Sequence, residues 1–340
     1  RQRQMCIRDS FWILSTLQKE KKKVLIWLSG GVDSAVAAHL LLEQGHEVVG
    51  GFMINYFTED ENCTTKKDLD VAQEVADFLG IKLFTFDFVK EYEERILDMI
   101  YTGYEKWITP NPDVFCNSLV KFDLFLGEAL ECWFDAIATG HYARVMHDED
   151  GYHLLRWIDP DKDQSYFLAT LSQEQLSTSL FPIWELHKSE VRKIAEKIWL
   201  PNAKRKDSQW LCFVGKVDFA EFLKNKIKPK PGDILDIQGN VIGQHDGAFQ
   251  YTVWQRKWIG VWWGPARFVI NKDVENNTIT VGTEDDLELF SNTCLVSNWH
   301  WVNTSTRLHV YTSTLTWKAK IRYRQELQDV ELCFKSETTA

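Results

Sequence analysis

Seven consecutive residues, Leu28-Ser29-Gly30-Gly31-Val32-Asp33-Ser34, are equipped to hold a phosphate. The apolar run Val24-Leu25-Ile26 before them reads as a strand, and Ala35 to Leu42 after them as a helix. Gly30 and Gly31 carry no Cβ, so their amides can come close to an anion. The helix that follows directs its positive end at the same place. Ser29 and Ser34 add hydroxyl donors, and Asp33 could help hold a magnesium ion that bridges phosphate oxygens. The alternative is a glycine-rich turn with no ligand. The strand–turn–helix context favours phosphate binding. Neither GxxxxGK[ST] nor GxGxxG is present, which sets aside the kinase-type loop and the dinucleotide fold.

A second set of residues carries sulfur. Cys116 follows a carboxylate in Asn111-Pro112-Asp113-Val114-Phe115-Cys116-Asn117. Cys212 follows the cationic run Lys204-Arg205-Lys206, which favours a thiolate. Cysteines so far apart in sequence meet only through the fold. One could then carry a persulfide and the other resolve it by disulfide exchange. On spacing alone the plainer reading, two small buried hydrophobes, stands ahead.

The surrounding pattern must position both sets. From Lys21 to about Val214, strand-like runs (Val24–Leu28, Val48–Met53, Lys82–Phe86, Asp135–Thr139) alternate with helical periodicity over Asp68–Leu79 and Tyr92–Tyr104. This is the βα alternation of an open parallel sheet with its site at the strand C-termini, an α/β fold. The expected division is a leader over 1–20, a catalytic unit over 21–214, a small Lys-rich unit over 215–263 and a partial C-terminal β-barrel over 264–340. In the last, Phe268–Lys272 and Thr278–Gly282 flank Asn276-Asn277, a hairpin signal.

Composition bounds the function. The 340 residues leave room for two or three domains. Seven irregularly spaced cysteines make no disulfide scaffold, and no CxxC pair suggests zinc or an iron–sulfur cluster. No run of 18 apolar residues exists, so no membrane span and a cytoplasmic location are expected. The net charge of −10 speaks mildly against a nucleic-acid partner. Between Pro201 and Pro231, however, Lys204, Arg205, Lys206, Lys216, Lys224, Lys226, Lys228 and Lys230 face only Asp207, Asp218 and Glu221. A local basic face is enough to track a phosphate backbone, though an ordinary solvated helix face reads the same way.

The phosphate loop resembles that of the adenylating enzymes that split ATP between its α and β phosphates. From about Lys23 to Arg324 the chain resembles bacterial tRNA-specific 2-thiouridylases of the MnmA family, a PP-loop ATP pyrophosphatase type. Nine stretches occur in family order: SGGVDS at Ser29–Ser34, GFMIN at Gly51–Asn55, TPNPDVFCN at Thr109–Asn117, IATGHYAR at Ile137–Arg144, KDQSYFL at Lys162–Leu168, FP…E…EVRKIAE ending at Glu196, KDSQWLCFVG at Lys206–Gly215, YTVWQRKWIG at Tyr251–Gly260, and RYRQ at Arg322–Gln325. The resemblance implies ATP, with Mg2+, bound by Leu28, Ser29, Gly30, Gly31, Val32, Asp33 and Ser34, with Met53 and Gly140 lining the site. It implies Asn111, Pro112 and Asp113 at the target uridine, with Asp113 a candidate acid or base. Cys212 would receive sulfur as a persulfide and Cys116 would form a transient disulfide with it. Lys162, Asp163, Gln164, Arg322 and Tyr323 would touch tRNA. His141 is placed near ATP and tRNA, or is a satisfied structural histidine. Partners implied are tRNA and a persulfide sulfur donor, a relay protein or a cysteine desulfurase. Two rivals differ in class: another adenylating ligase that needs neither cysteine, and a non-catalytic tRNA-binding protein whose ATP loop Trp27 blocks.

The departures from the family are informative. The chain has 15 Trp against 18 Gly. Trp27, Trp107, Trp133, Trp157, Trp184, Trp199, Trp210, Trp254, Trp258, Trp262 and Trp263 stand where the family has glycine, whereas Trp301 matches a family tryptophan. Trp199 follows the helical run Val191 to Ile198, at a position suited to a C-terminal glycine in the left-handed region. Drift does not choose one replacement so consistently. UGA is read as tryptophan in one variant code and as glycine in another, so a glycine-reading gene translated with the tryptophan table gives this pattern. The first ten residues, Arg1 to Ser10, read as translated sequencing-adaptor sequence and are set aside. The family continues past RYRQ for several strands, so a fragment cut short in its C-terminal barrel is expected.

Overall fold

The computed structural model describes residues 20–57, 64–206, 219–224, 226–257, 259–261, 264–302, 315–323 and 325–333. Its first sheet is fully parallel, in the order β3-β2-β1-β4-β7. The strands are β1 (Lys23–Trp27), β2 (Glu47–Ile54), β3 (Leu83–Asp87), β4 (Ala136–Ala138) and β7 (Ser179–Leu180). β5 (Arg144–Asp148) and β6 (Gly151–Leu155) form a separate antiparallel hairpin. Val24, Leu25 and Ile26 are fully buried because β1 is covered on both faces, which is why it reads as a continuous apolar run.

Helix α1 (Val32–Glu43) leaves β1 through the glycine loop. Ala35, Val36, Ala37, Ala38 and Leu41 are all buried, apolar on more than one face, as a helix pressed between neighbours must be. Helix α2 (Thr65–Leu79) crosses from β2 to β3. Helix α3 occupies 89–105 and α4 112–131, each with a π-helical stretch, Glu93–Leu97 and Asn117–Leu124. Short α5 (Gln173–Ser177) precedes β7, and α6 (Lys188–Lys197) packs against α1. β2 and β4 flank β1 on opposite sides, so the chain reverses direction at the crevice beyond β1 and β4, the place where open α/β sheets bind ligands.

Beyond α7 (Phe219–Lys224) lies a four-stranded sheet, β10-β11-β8-β9. It joins β8 (Gly232–Leu235) and β9 (Val241–His245) to β10 (Phe268–Asp273) and β11 (Thr278–Gly282). The boundary expected at 263 therefore falls inside one sheet. The cause is the parallel β8–β11 pairing, a non-local contact that no sequence pattern marks. The expected hairpin is present, with Asp273 opposite Thr278 and Asn277 at φ 53° in its turn. β12 (Leu315–Ala319) and β13 (Gln328–Leu332) make a two-stranded antiparallel piece, and no closed barrel is seen among the described residues.

Three helices end in the same hydrogen-bonded turn, on tryptophan. Trp107, Trp133 and Trp199 sit at φ 60°, 61° and 63°. Each donates its amide to the carbonyl three residues back, and the following amide reaches five back: Trp199 to Glu196 (3.1 Å) and Leu200 to Ala195 (2.9 Å), for example. Gly45 and Gly80 close helices α1 and α2 with the same two bonds at φ 84° and 69°. This is a C-terminal motif whose left-handed residue is ordinarily glycine. Trp254 is also left-handed, at φ 74°. These four positions thus have glycine geometry. Trp157 differs, being buried with its ring 4.3 Å from that of Tyr142. Trp210, Trp258, Trp262 and Trp263 lie outside the described residues.

Candidate active site

Gly30 is the left-handed residue of the loop, at φ 72°. A Cβ there would lie 2.7 Å from the Asp68 carbonyl oxygen and 2.8 Å from an Arg205 nitrogen. The loop's hydroxyls hold it shut: Ser34 Oγ donates to the Gly31 carbonyl (3.1 Å), and the Ser29 and Ser34 hydroxyls lie 3.3 Å apart. Asn202 Nδ2 and Arg205 donate to the Gly30 carbonyl at 3.0 and 3.2 Å, while Arg205 also pairs with Asp68. Gly140, at the end of β4, presses on the start of α1. A Cβ on it would sit 2.7 Å from the Ser34 nitrogen. Both glycines are therefore required by close packing, Gly30 against Asp68 and Arg205 and Gly140 against the first turn of α1.

Asp33 does not point free into the cradle. Lys188 Nζ lies 2.7 and 2.8 Å from its two oxygens, and the Tyr142 hydroxyl donates to Oδ1 at 2.7 Å. A carboxylate at the edge of a phosphate loop, with one hydroxyl beside it, can share a magnesium ion with phosphate oxygens. Its bidentate ammonium shows that this carboxylate does take a cation, so the residues fit the metal once Lys188 moves.

The other expected residues divide sharply. Asn111 caps α4, accepting from the Val114 amide at 3.4 Å, and Pro112 takes the first helical position where its missing N–H costs nothing. Asp113 and Cys116 lie one turn apart on that helix, on a shared face. Cys116 is completely buried. Cys132, Cys294 and Cys333 are exposed free thiols, and Cys212 lies outside the described residues. The Met53 side chain is buried in the core cluster that holds Cys116.

His141 is buried between the rings of Phe122 and Phe181, with Nδ1 2.8 Å from the Thr139 hydroxyl. Burial, aided by the charge of Lys121, holds its pKa well below 6.5, so it stays neutral. That geometry fits the structural reading of His141.

Asp163 is also fully buried. It accepts from the Trp157 and Ser165 amides at 3.0 and 3.1 Å and pairs with Arg156 at 3.3 Å. Its carboxylate is spent on holding its own turn, which argues against the expected tRNA contact. Gln164 ties that turn to the strand end, its Oε1 accepting from the Tyr142 amide at 2.8 Å. Lys162 remains exposed. Residues 321–323 dock here: Tyr323 lies 4.6 Å from the Phe167 ring, and Arg322 donates to the Val253 carbonyl at 2.6 Å. Two segments expected to meet tRNA are thus neighbours.

Sequence reading missed Lys188, Tyr142 and Asn202, and it put Arg205 in a basic run whereas its guanidinium anchors the loop. Of the three missed, Lys188 left a signal, a cation in the first turn of a helix, where the dipole disfavours it unless a carboxylate answers.

The family model described as the tRNA methyl transferase HUP domain matches residues 22–216, and that of the tRNA methyl transferase PRC-barrel domain matches 220–283. The tRNA-specific 2-thiouridylase MnmA 1 of Geobacillus kaustophilus is 43% identical over 327 residues, covering 94% of this chain and 87% of that protein. The chain belongs to the tRNA-specific 2-thiouridylase family. The MnmA enzyme of Stutzerimonas stutzeri is 45% identical over 320 residues, covering 91% of this chain and 84% of its own. Among solved structures, the U34-tRNA thiolase NcsA of Methanococcus maripaludis is 18% identical with a TM-score of 0.37, over 64% of this chain and 72% of that one. That likeness is too slight to bear on function. Among the described residues no helix is long and apolar enough to cross a membrane, and no group of three or more His, Cys, Asp or Glu side chains could hold a metal.

Proposed function

We infer that this protein is an ATP-dependent transferase that replaces O2 of the wobble uridine of tRNA with sulfur. The observation that carries the reading is the glycine loop between β1 and the N-terminus of α1, packed against Gly140 on a parallel sheet, in a chain of this family. The loop amides and the N-terminus of α1 hold the phosphates of ATP. A magnesium ion at Asp33 supplies charge neutralisation when bound. Uridine O2 attacks the α-phosphorus and pyrophosphate leaves. The terminal sulfur of a Cys212 persulfide then attacks C2 and AMP departs. The Cys116 thiolate attacks the Cys212 sulfur, and the broken S–S bond leaves its electrons on the transferred sulfur. The product is 2-thiouridine beside a Cys116–Cys212 disulfide, which an external thiol reductant must reopen. Because Cys116 is buried, this last step requires α4 to expose it.

Asn111, Pro112 and Asp113 place the uridine, with Asp113 as the acid or base. Lys162 and the 322–323 turn meet tRNA. The sulfur arrives from a persulfide donor protein, and the protein works in the cytoplasm. The test is AMP and pyrophosphate release from ATP with and without tRNA. Pyrophosphate release that depends on tRNA and persists in Cys212→Ser, while AMP release and sulfur transfer are lost, supports the order of steps. Release that ignores tRNA would point to a different adenylation substrate.

A further inference from the structure

Lys188 opens α6, at the positive end of its own helix. Its side chain is only 16% exposed, and Asp33 28%. The ammonium reaches both carboxylate oxygens while lying 5.4 Å from the centroid of the Tyr142 ring. Tyr142 in turn donates to the same carboxylate. Ring, hydroxyl and carboxylate together form a seat for one positive charge, directly beside the first turn of α1.

A divalent cation and an ammonium cannot both occupy the same two oxygens, since like charges so close repel strongly. We propose that Lys188 is the resident counter-ion of the nucleotide loop: it fills the cation position on Asp33 while the loop is empty, and passes to the phosphates when ATP arrives with magnesium. This rests on the ATP reading of the loop. The exchange needs little movement, because Lys188 is a flexible stem with three rotatable donors and the phosphate cradle begins at Asp33's own loop. It also couples the two ligands. Magnesium alone would strand the ammonium beside a second cation. ATP alone would draw Lys188 away and leave the carboxylate facing phosphate. Only the pair keeps every charge answered.

The consequence is competition between Lys188 and magnesium for Asp33. The experiment is ATP binding to the full chain by calorimetry, across a magnesium titration, for the unaltered protein, Lys188→Met and Lys188→Gln. The magnesium concentration giving half-maximal ATP binding should fall roughly tenfold in both variants, equivalent to about 1.4 kcal/mol of lost ion pairing. ATP affinity without magnesium should fall as well, because the phosphates lose their ammonium. Circular dichroism checks the fold, and either folded variant suffices. A magnesium requirement that stays constant or rises, in a protein that binds ATP, overturns the exchange. Absence of ATP binding by the unaltered protein at any magnesium level would instead overturn the ATP reading itself.

Discussion

Replacing Trp133 or Trp199 by glycine and by alanine should give results of opposite sign to ordinary helix chemistry. Both indoles are largely in solvent, 86% and 83% exposed, so either replacement gives up the same small packing. What separates the two variants is the backbone. At φ 61° and 63° a Cβ crowds its own carbonyl, at roughly 1–2 kcal/mol per residue. Alanine keeps that strain and glycine removes it, even after the greater freedom of glycine in the unfolded chain is counted. Glycine should therefore be the more stable variant by about 1 kcal/mol at each site. At Lys193, exposed inside α6, the order should reverse, alanine being favoured by about 1 kcal/mol. In a unit the size of residues 22–216, 1 kcal/mol moves Tm by roughly 2–4 °C. Thermal unfolding by circular dichroism and urea titration resolve both differences. Alanine equal to or better than glycine at both tryptophan sites would refute the reasoning. Mass spectrometry of the protein made in its own cell, with glycine expected at 107, 133, 199 and 254, tests the codon reading directly.

Three further outcomes follow from the site. Gly140→Ala places a Cβ 2.7 Å from the Ser34 nitrogen, so it should cost about 1–3 kcal/mol of stability and abolish tight ATP binding; undiminished affinity would contradict the cradle geometry. His141 stays neutral when folded but gains a proton near 6.5 when unfolded, so the unfolded state binds more protons and stability falls as pH drops below about 6.5, by up to about 1.4 kcal/mol per unit. His141→Gln should flatten that slope in denaturant titrations from pH 7 to 5. Part of it should survive, because burial also lowers the pKa of His46 and His245. Arg205→Ala leaves the Gly30 carbonyl to Asn202 alone and breaks the ion pair to Asp68, and should weaken ATP binding about fivefold, near 1 kcal/mol, with the fold retained; an unchanged Kd would show that the loop holds its shape without this anchor.

The phosphate loop was legible because motif and context are contiguous: an apolar strand, two glycines and an apolar helix. The Asn276-Asn277 hairpin was legible for the same reason, its turn and strands being contiguous. Pairing across long sequence separations was not. Lys188 and Asp33 stand 155 residues apart, and only the sheet brings α6 to the first turn of α1. The β8–β11 pairing hid the unity of the C-terminal sheet likewise. Asp163 and His141 were placed at a tRNA surface by their motifs, yet their side chains turn inward. Polarity read along a chain does not reveal which polar groups the core has already satisfied. The tryptophans at helix ends were legible as misfits, and their backbone angles explain why.

The central claim is sulfur transfer to uridine, and its most direct test is a thiolation assay. Chain with glycine at 107, 133, 199 and 254 is incubated with tRNA, Mg-ATP and a persulfide donor, beside the unaltered chain and Cys212→Ala. Thiolated tRNA is read by its retardation on a mercury-containing gel. Retarded tRNA is expected only with ATP present and Cys212 intact. A folded, tRNA-binding, glycine-bearing protein that yields no retarded tRNA would contradict the assignment and favour a protein that binds tRNA without acting on it.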